Sequence, residues 1–215
     1  MNLIRTIHLS SAAALVAGSF AASTASAQSL FFDLEDQAAS AAGLSTLTLS
    51  QPELMLDFTK GGETFQIIDL SSASGTVAFD ARSLASADDD GGAQPFVINL
   101  TPATGLNVSS FSVLAGDFGD DLDSISLSAY SEVGGTGTLL DIDEADLVPI
   151  GTEFSQLVLS VEGAGIRSVV LSNSTVAFDN FAAVAVPLPP AVLAAVPGFV
   201  IAGIIAMRSR RARNS

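Results

Sequence analysis

Hydrophobic residues in the centre of this chain recur at every second position, and that period decides its architecture. Leu54, Leu56 and Phe58 alternate with Glu53, Met55 and Asp57, and Phe96, Ile98 and Leu100 alternate with Val97, Asn99 and Thr101. Ile125, Leu127 and Ala129 alternate with Ser124, Ser126 and Ser128; Phe154 leads into Leu157, Leu159 and Val161, with Val169 and Leu171 soon after. Successive side chains of a strand point to opposite faces, so the pattern predicts half-buried strands with one face on a core and one in solvent. Turn-forming segments separate the runs: Lys60-Gly61-Gly62, Asp90-Gly91-Gly92, Gly134-Gly135 and Gly163-Ala164-Gly165. About ten short strands joined in this way predict an all-β fold, an antiparallel β-sandwich. One short helical segment is expected over Leu34 to Ala42, where Asp36-Gln37-Ala38-Ala39 suits a first helical turn.

Both ends fall outside the pattern. Met1 to Ala27 has a basic start at Arg5, an apolar stretch around Ala12 to Ala22, and Ala25-Ser26-Ala27 before Gln28. That is the composition of an export signal, with Ala25 and Ala27 at the small-residue site a signal peptidase cuts. At the other end Val186-Pro187-Leu188-Pro189-Pro190 precedes an uncharged run from Ala191 to Met207, then Arg208, Arg210, Arg211 and Arg213. Seventeen residues lie at the short limit for a membrane-spanning helix, and Pro197 and Gly198 weaken that helix without forbidding it. The arginines form a basic stop that would stay cytoplasmic and place everything before it outside. The segment reads as a permanent single-span anchor or as a temporary one cut near the prolines. The expected organisation is a signal peptide over 1–27, an acidic β-sandwich over 28–185, and a sorting signal or transmembrane anchor, a C-terminal hydrophobic helix, over 186–215.

Charge narrows the partners. The central domain holds all 23 acidic residues against Lys60, Arg82 and Arg167, a formal charge of −20. Nucleic acid and anionic lipid surfaces are repelled by such a surface, whereas divalent cations are drawn to it. The chain has no cysteine, and its one histidine, His8, belongs to the export signal. A domain without either residue type cannot build a Ser-His-Asp triad, a thiol nucleophile or an ordinary zinc site.

Two resemblances follow from quoted residues. Val186-Pro187-Leu188-Pro189, the apolar stretch and the arginine cluster together resemble the PEP-CTERM class of C-terminal sorting signals in a VPLP-type variant. That resemblance implies a Gram-negative bacterium, an exosortase-like sorting peptidase as partner, and a setting of exopolysaccharide production. Leu188 stands where the commoner Pro-Glu-Pro form has an acidic residue. The central domain is similar to the jelly-roll domains of the galactose-binding-like group. The stretches that carry this are Phe31-Phe32-Asp33-Leu34-Glu35-Asp36, Gly116-Asp117-Phe118-Gly119-Asp120-Asp121-Leu122-Asp123, and Phe178-Asp179-Asn180-Phe181. The resemblance implies a last strand ending near the Asp-Asn pair, with the first strand beside it.

Carboxylate clusters carry whatever chemistry the domain has. Asp117, Asp120, Asp121 and Asp123 lie close together on a glycine-containing loop, which reads either as a solvated acidic turn or as a calcium loop, calcium accepting six to eight oxygen ligands. The spacing is not that of an EF-hand. Asp179, between apolar neighbours, must find a partner because an unpaired buried charge is costly. Calcium shared with Glu35 or Asp36 would supply one, as jelly rolls with a structural calcium do, and so would backbone amides capping a turn. Asp88-Asp89-Asp90 reads as an exposed loop, and Asp141, Asp143, Glu144 and Asp146 as a solvated run. Paired carboxylates also serve glycoside hydrolysis, but among 23 of them a chance pairing means little. With no Trp and a single tyrosine, Tyr130 is the one candidate for stacking on a sugar.

Three functions fit. The first is an exported, non-enzymatic cell-surface or extracellular-matrix protein, exopolysaccharide-associated and calcium-stiffened. The second is a carbohydrate-binding module for exopolysaccharide. The third, least favoured, is a hydrolase working with carboxylates alone.

Overall fold

The computed structural model describes residues 26–37, 43–70, 82–86, 94–117, 122–148, 155–172 and 176–188. Their strands are β1 (Gln28–Phe32), β2 (Leu47–Gln51), β3 (Leu54–Thr59), β4 (Phe65–Asp69), β5 (Arg82–Ser86) and β6 (Phe96–Pro102), then β7 (Leu106–Asp117), β8 (Asp123–Tyr130), β9 (Leu139–Leu147), β10 (Ser155–Glu162), β11 (Ser168–Ser172) and β12 (Ala177–Pro187). They form two antiparallel sheets. Sheet A runs β10-β7-β12-β5-β4 with β1 also on β12, and sheet B runs β2-β3-β6-β11-β8-β9. The fold is therefore the antiparallel β-sandwich that the alternation predicts. Leu34 to Gln37 form a turn closed by Gln37 N–H on the Leu34 carbonyl, at 2.9 Å, rather than the start of a helix. The rest of that expected helical segment, together with Ala25, Asp88 to Asp90, Asp120, Asp121, Pro189 and the stretch holding Arg208, Arg210, Arg211 and Arg213, lies outside the described residues.

The inward positions of the alternating runs are the ones buried. Leu54, Leu56 and Phe58 of β3, Phe96, Ile98 and Leu100 of β6, and Ile125, Leu127 and Ala129 of β8 all belong to one core cluster. Phenylalanine rings tie the sheets together across it. Phe58 of sheet B meets Phe181 of sheet A edge-on with centroids 5.0 Å apart, and Phe96 meets Phe65 and Phe178 at 5.6 and 5.8 Å. Such edge-to-face pairs each add about 0.5–1.5 kcal/mol beyond the area they bury.

Two bulges make this packing compatible with strand geometry. Phe178 and Phe181 are both fully buried although three positions apart, which a regular strand does not allow. The register of β12 against β7 shifts between Asp179 and Ala182, and Asn180 adopts φ 51°, the only positive φ of a non-glycine residue among those described. Asparagine tolerates that left-handed conformation better than most residues. β7 has a matching irregularity: the register shifts between Val184 and Ala185 of its partner, and its inward set passes from Val108 to Phe111. Asp179 therefore lies within β12 at a bulge, not at a strand end.

The two ends of the described domain meet. Gln28 pairs with Ala185, while Val186 and Pro187 continue β12 against Asn107 and Leu106, and Leu188 N–H reaches the Gly105 carbonyl at 2.9 Å. The first half of the VPLP segment is thus part of the sheet ladder. We expect Phe181→Ala to lower the unfolding free energy by about 3–5 kcal/mol in urea titrations. Asn180→Gly is expected to be near neutral, whereas Asn180→Val should lose about 1–2 kcal/mol, because a β-branched residue resists the left-handed region.

Candidate functional site

Several of the described carboxylates already have structural work. Glu35 accepts the Arg82 backbone N–H at 2.9 Å, and the Arg82 guanidinium pairs with Asp69 at 2.8 Å, tying the turn after β1 to the β4–β5 hairpin. Asp57 accepts the Thr48 hydroxyl at 2.6 Å. Asp141 and Asp143, expected to be solvated, instead accept the backbone N–H groups of Glu162 and Ser160 on β10, each at 2.8 Å. Period two explains this: both point the same way from β9, toward the edge of the other sheet.

Of the expected calcium ligands, Asp117, Asp123, Asp179, Glu35 and Asp36 lie among the described residues. Asp117 ends β7 in sheet A, opposite Ser155, and Asp123 opens β8 in sheet B, opposite Leu147. Asp179 is fully buried, one residue past the Phe178–Leu84 pair and opposite Leu114, on the face of sheet A that also carries Leu70 and Ala177. As the jelly-roll resemblance implies, β1 lies beside β12, and Glu35 and Asp36 follow it as exposed turn residues. Among the described residues no three side chains of metal-ligating type gather at one place.

Lys60 is a buried cation. It has no exposed surface, its Nζ lies 3.1 Å from Glu63 Oε2, and the ring of Phe96 is 5.6 Å away. The Gln94 backbone N–H donates to the same carboxylate oxygen. The Lys60 ammonium, helped by that amide, holds the Glu63 carboxyl below its ordinary 4.5.

A groove opens on the outer face of sheet B. Strand pairing sets Ser124 opposite Asp146 and Ser126 opposite both Glu144 and Ser172. The Ser124 hydroxyl donates to Asp146 at 2.6 Å, and the Ser126 and Ser172 hydroxyls lie 2.6 Å apart. With Ile125 and Ala145 these residues line a cavity of about 420 Å³. The next row of the same face holds Ile142, 45% exposed, with Ser128 and then Val170 across from it. Beside the hydroxyls and carboxylates this row adds one exposed aliphatic side chain, that of Ile142.

The β8–β9 loop bounds this face at the far side. Gly134 and Gly135 both have positive φ, and their N–H groups donate to Asn99 Oδ1 at 2.7 Å and Ser168 Oγ at 2.9 Å, pinning the loop onto β6 and β11. A Cβ on Gly135 would fall 2.6 Å from Val170 Cγ2, so only glycine lets the loop lie this close. Tyr130, half-buried at the loop end of β8, stands at the opposite end of that strand from the groove. The groove residues were legible in outline. Ser124, Ser126 and Ser128 are the outward positions of their alternation, and a hairpin through Gly134-Gly135 brings Glu144 and Asp146 beside them. Ser172 becomes visible only once β11 is known to pair with β8.

No family model matches the chain, and no curated protein matches it. Among solved structures, one described as "CBM4 structure and function" aligns with 59% of this chain and 88% of its own length, at 7% identity and a TM-score of 0.23. A superposition of that quality carries neither a site nor a ligand across. The fold and its surface define the class: an all-β antiparallel sandwich, strongly acidic, with a polar groove on one sheet.

The pH dependence of Glu63 is testable. With its folded value depressed, Glu63 stabilises fully above about 4.5 and loses that contribution as pH falls through the depressed value. Glu63→Gln should lower Tm at neutral pH, and the gap to the native protein should close in acid. Separately, Gly135→Ala should destabilise by roughly 1–3 kcal/mol, because it combines an unfavourable φ with a clash; chemical denaturation would read it.

Proposed function

We propose that the chain is an exported, non-enzymatic surface or matrix protein whose sandwich binds carbohydrate through the groove of Ser124, Ser126, Ser172, Glu144 and Asp146. The groove is the observation that carries this reading. A sugar ring has an edge of hydroxyls and a flatter C–H face. Carboxylates and hydroxyls satisfy the first, and the exposed Ile142 side chain suits the second. The charge of −20 selects against uronate-rich or sulfated polymers and favours neutral sugars, as expected of part of an exopolysaccharide.

Orientation supports the same reading. Gln28 and Leu188 leave the domain where β6 turns into β7. Ser172 pairs beyond Leu171, at the opposite end of β6 where Phe96 lies, so the groove sits at the pole away from Gln28 and Leu188. A protein sorted or anchored through its C-terminal segment would present the groove outward.

Two measurements test the proposal. Glycan arrays followed by calorimetry should find binding to neutral polysaccharide and weaker binding to acidic polymers. Glu144→Gln and Asp146→Asn should each lower affinity by roughly tenfold, the worth of a charge-assisted hydrogen bond. An unchanged affinity in the double variant would remove the groove from consideration. Mass spectrometry of protein from its native host should give a mature N-terminus at Gln28 and a C-terminus at or beyond Leu188. A terminus within 177–187 would contradict the ladder that holds Val186 and Pro187.

A further inference from the structure

The first strand begins where the export signal is expected to be cut. β1 starts at Gln28, the residue after Ala25-Ser26-Ala27. Ser26 and Ala27 precede it as exposed residues and take part in no strand. Gln28 is exposed too and forms the last rung of its ladder, opposite Ala185, while the buried positions of β1 are Leu30 and Phe32. Cutting the Ala27–Gln28 bond, as a small-residue site allows, turns the Gln28 nitrogen from an amide into an amine. That amine would have no counterpart on the folded surface. Lys60 is the only lysine of the chain, and it has no exposed surface, with its Nζ held against Glu63.

We propose that Gln28 is a modification site: it becomes the mature N-terminus and closes on its own side chain to a pyroglutamyl residue, leaving a folded surface without a primary amine. The proposal rests on the export reading above. An α-amino group ordinarily titrates at about 7.7–8.0, so at neutral pH a share of it is the uncharged nucleophile. Its lone pair attacks Cδ of the Gln28 carboxamide. The N–Cδ bond forms, the Cδ–Nε2 bond breaks, and Nε2 leaves as ammonia with the proton that the amine gives up. Nothing is oxidised or reduced, and no co-reactant is consumed. Only the terminal rung is touched; Ser29 to Phe32 keep their pairs on Val184 to Phe181. The consequence is chemical inertness. Primary amines condense with carbonyl groups to Schiff bases, and reducing sugars carry such carbonyls. A protein lodged in polysaccharide escapes that reaction when its one open amine is a lactam and its one lysine is buried.

The test takes the protein purified from its native host, treats it folded with an amine-reactive ester, and only then digests it for peptide mass spectrometry. Labelling first keeps cyclisation during handling from being counted. The N-terminal peptide should begin at residue 28, lack one ammonia and carry no label. The same ester applied in urea should label Lys60 alone. Pyroglutamyl aminopeptidase should remove residue 28 and open a single labelling site, at Ser29, in the folded protein. Gln28→Ala should begin at the same position and take one label while folded. A chain that begins at Gln28 with its amine intact and labelled overturns the proposal and leaves the export reading standing. A chain that begins elsewhere, or keeps residues 1–27, overturns both. Labelling of Lys60 in the folded protein would overturn the amine-free surface.

Discussion

The packing of Phe178 and Phe181 against the opposite sheet is the constraint on which the rest depends. These two residues of β12 reach Phe96 and Phe58, on separate strands of sheet B, and Phe111 of β7 joins them through Phe181. Both can face inward only because an extra residue is inserted between them at Asp179-Asn180. The same bulge changes what lies beside β12. Before it, Phe178 pairs with Leu84 of β5; after it, Phe181 to Ala185 pair with Phe32 to Gln28 of β1. One irregularity thus closes the core and assigns two different strands to one edge. Without it either Phe178 or Phe181 would point away from the core between the sheets.

Five strands that keep a constant phase were legible in the sequence; the short strands β2, β4 and β5, the acidic β9 and the strands that change phase were not. β3, β6, β8, β10 and β11 show their inward sets directly as alternating leucine, isoleucine, valine and phenylalanine. β7, the longest strand at 12 residues, was hidden because its inward set breaks step between Val108 and Phe111. β12 was half hidden for the same reason, with Val176 and Phe178 in one phase and Phe181, Ala183 and Ala185 in the other. A phase break between two good runs is the trace a bulge leaves, and it marked both places. Over Leu34 to Gln37, the described part of the expected helical segment, a turn forms instead, and Glu35 within it accepts the Arg82 amide.

The acidity of the domain is better understood through backbone than through counter-ions. Three cations cannot neutralise 23 carboxylates, and two of those cations, Lys60 and Arg82, are paired locally with Glu63 and Asp69. What many of the carboxylates use instead are N–H groups and hydroxyls: Glu35 on Arg82, Asp141 on Glu162, Asp143 on Ser160, Asp57 on Thr48, Asp146 on Ser124. A carboxylate accepts such bonds strongly while remaining charged. Sequence clustering therefore misleads here. Residues adjacent in the run Asp141 to Asp146 go to opposite faces, two to the seam between sheets and two to the groove.

That division of one acidic run ties the seam and the groove to a single strand. β9 is held from one side by its backbone pairing with β8 and from the other by two carboxylate contacts to β10. Its outward face presents Glu144 and Asp146, so whatever fixes the strand also fixes the spacing of the groove's carboxylates from the serines of β8. The glycine loop that joins β8 to β9 is pinned by Asn99 and Ser168, which fixes the hairpin at its other end. A binding surface on an edge strand is ordinarily compliant, because one side of the strand is unsupported. Here side-chain acceptors on β10's neighbour, Asp141 and Asp143, replace the missing strand and support the groove's acidic side.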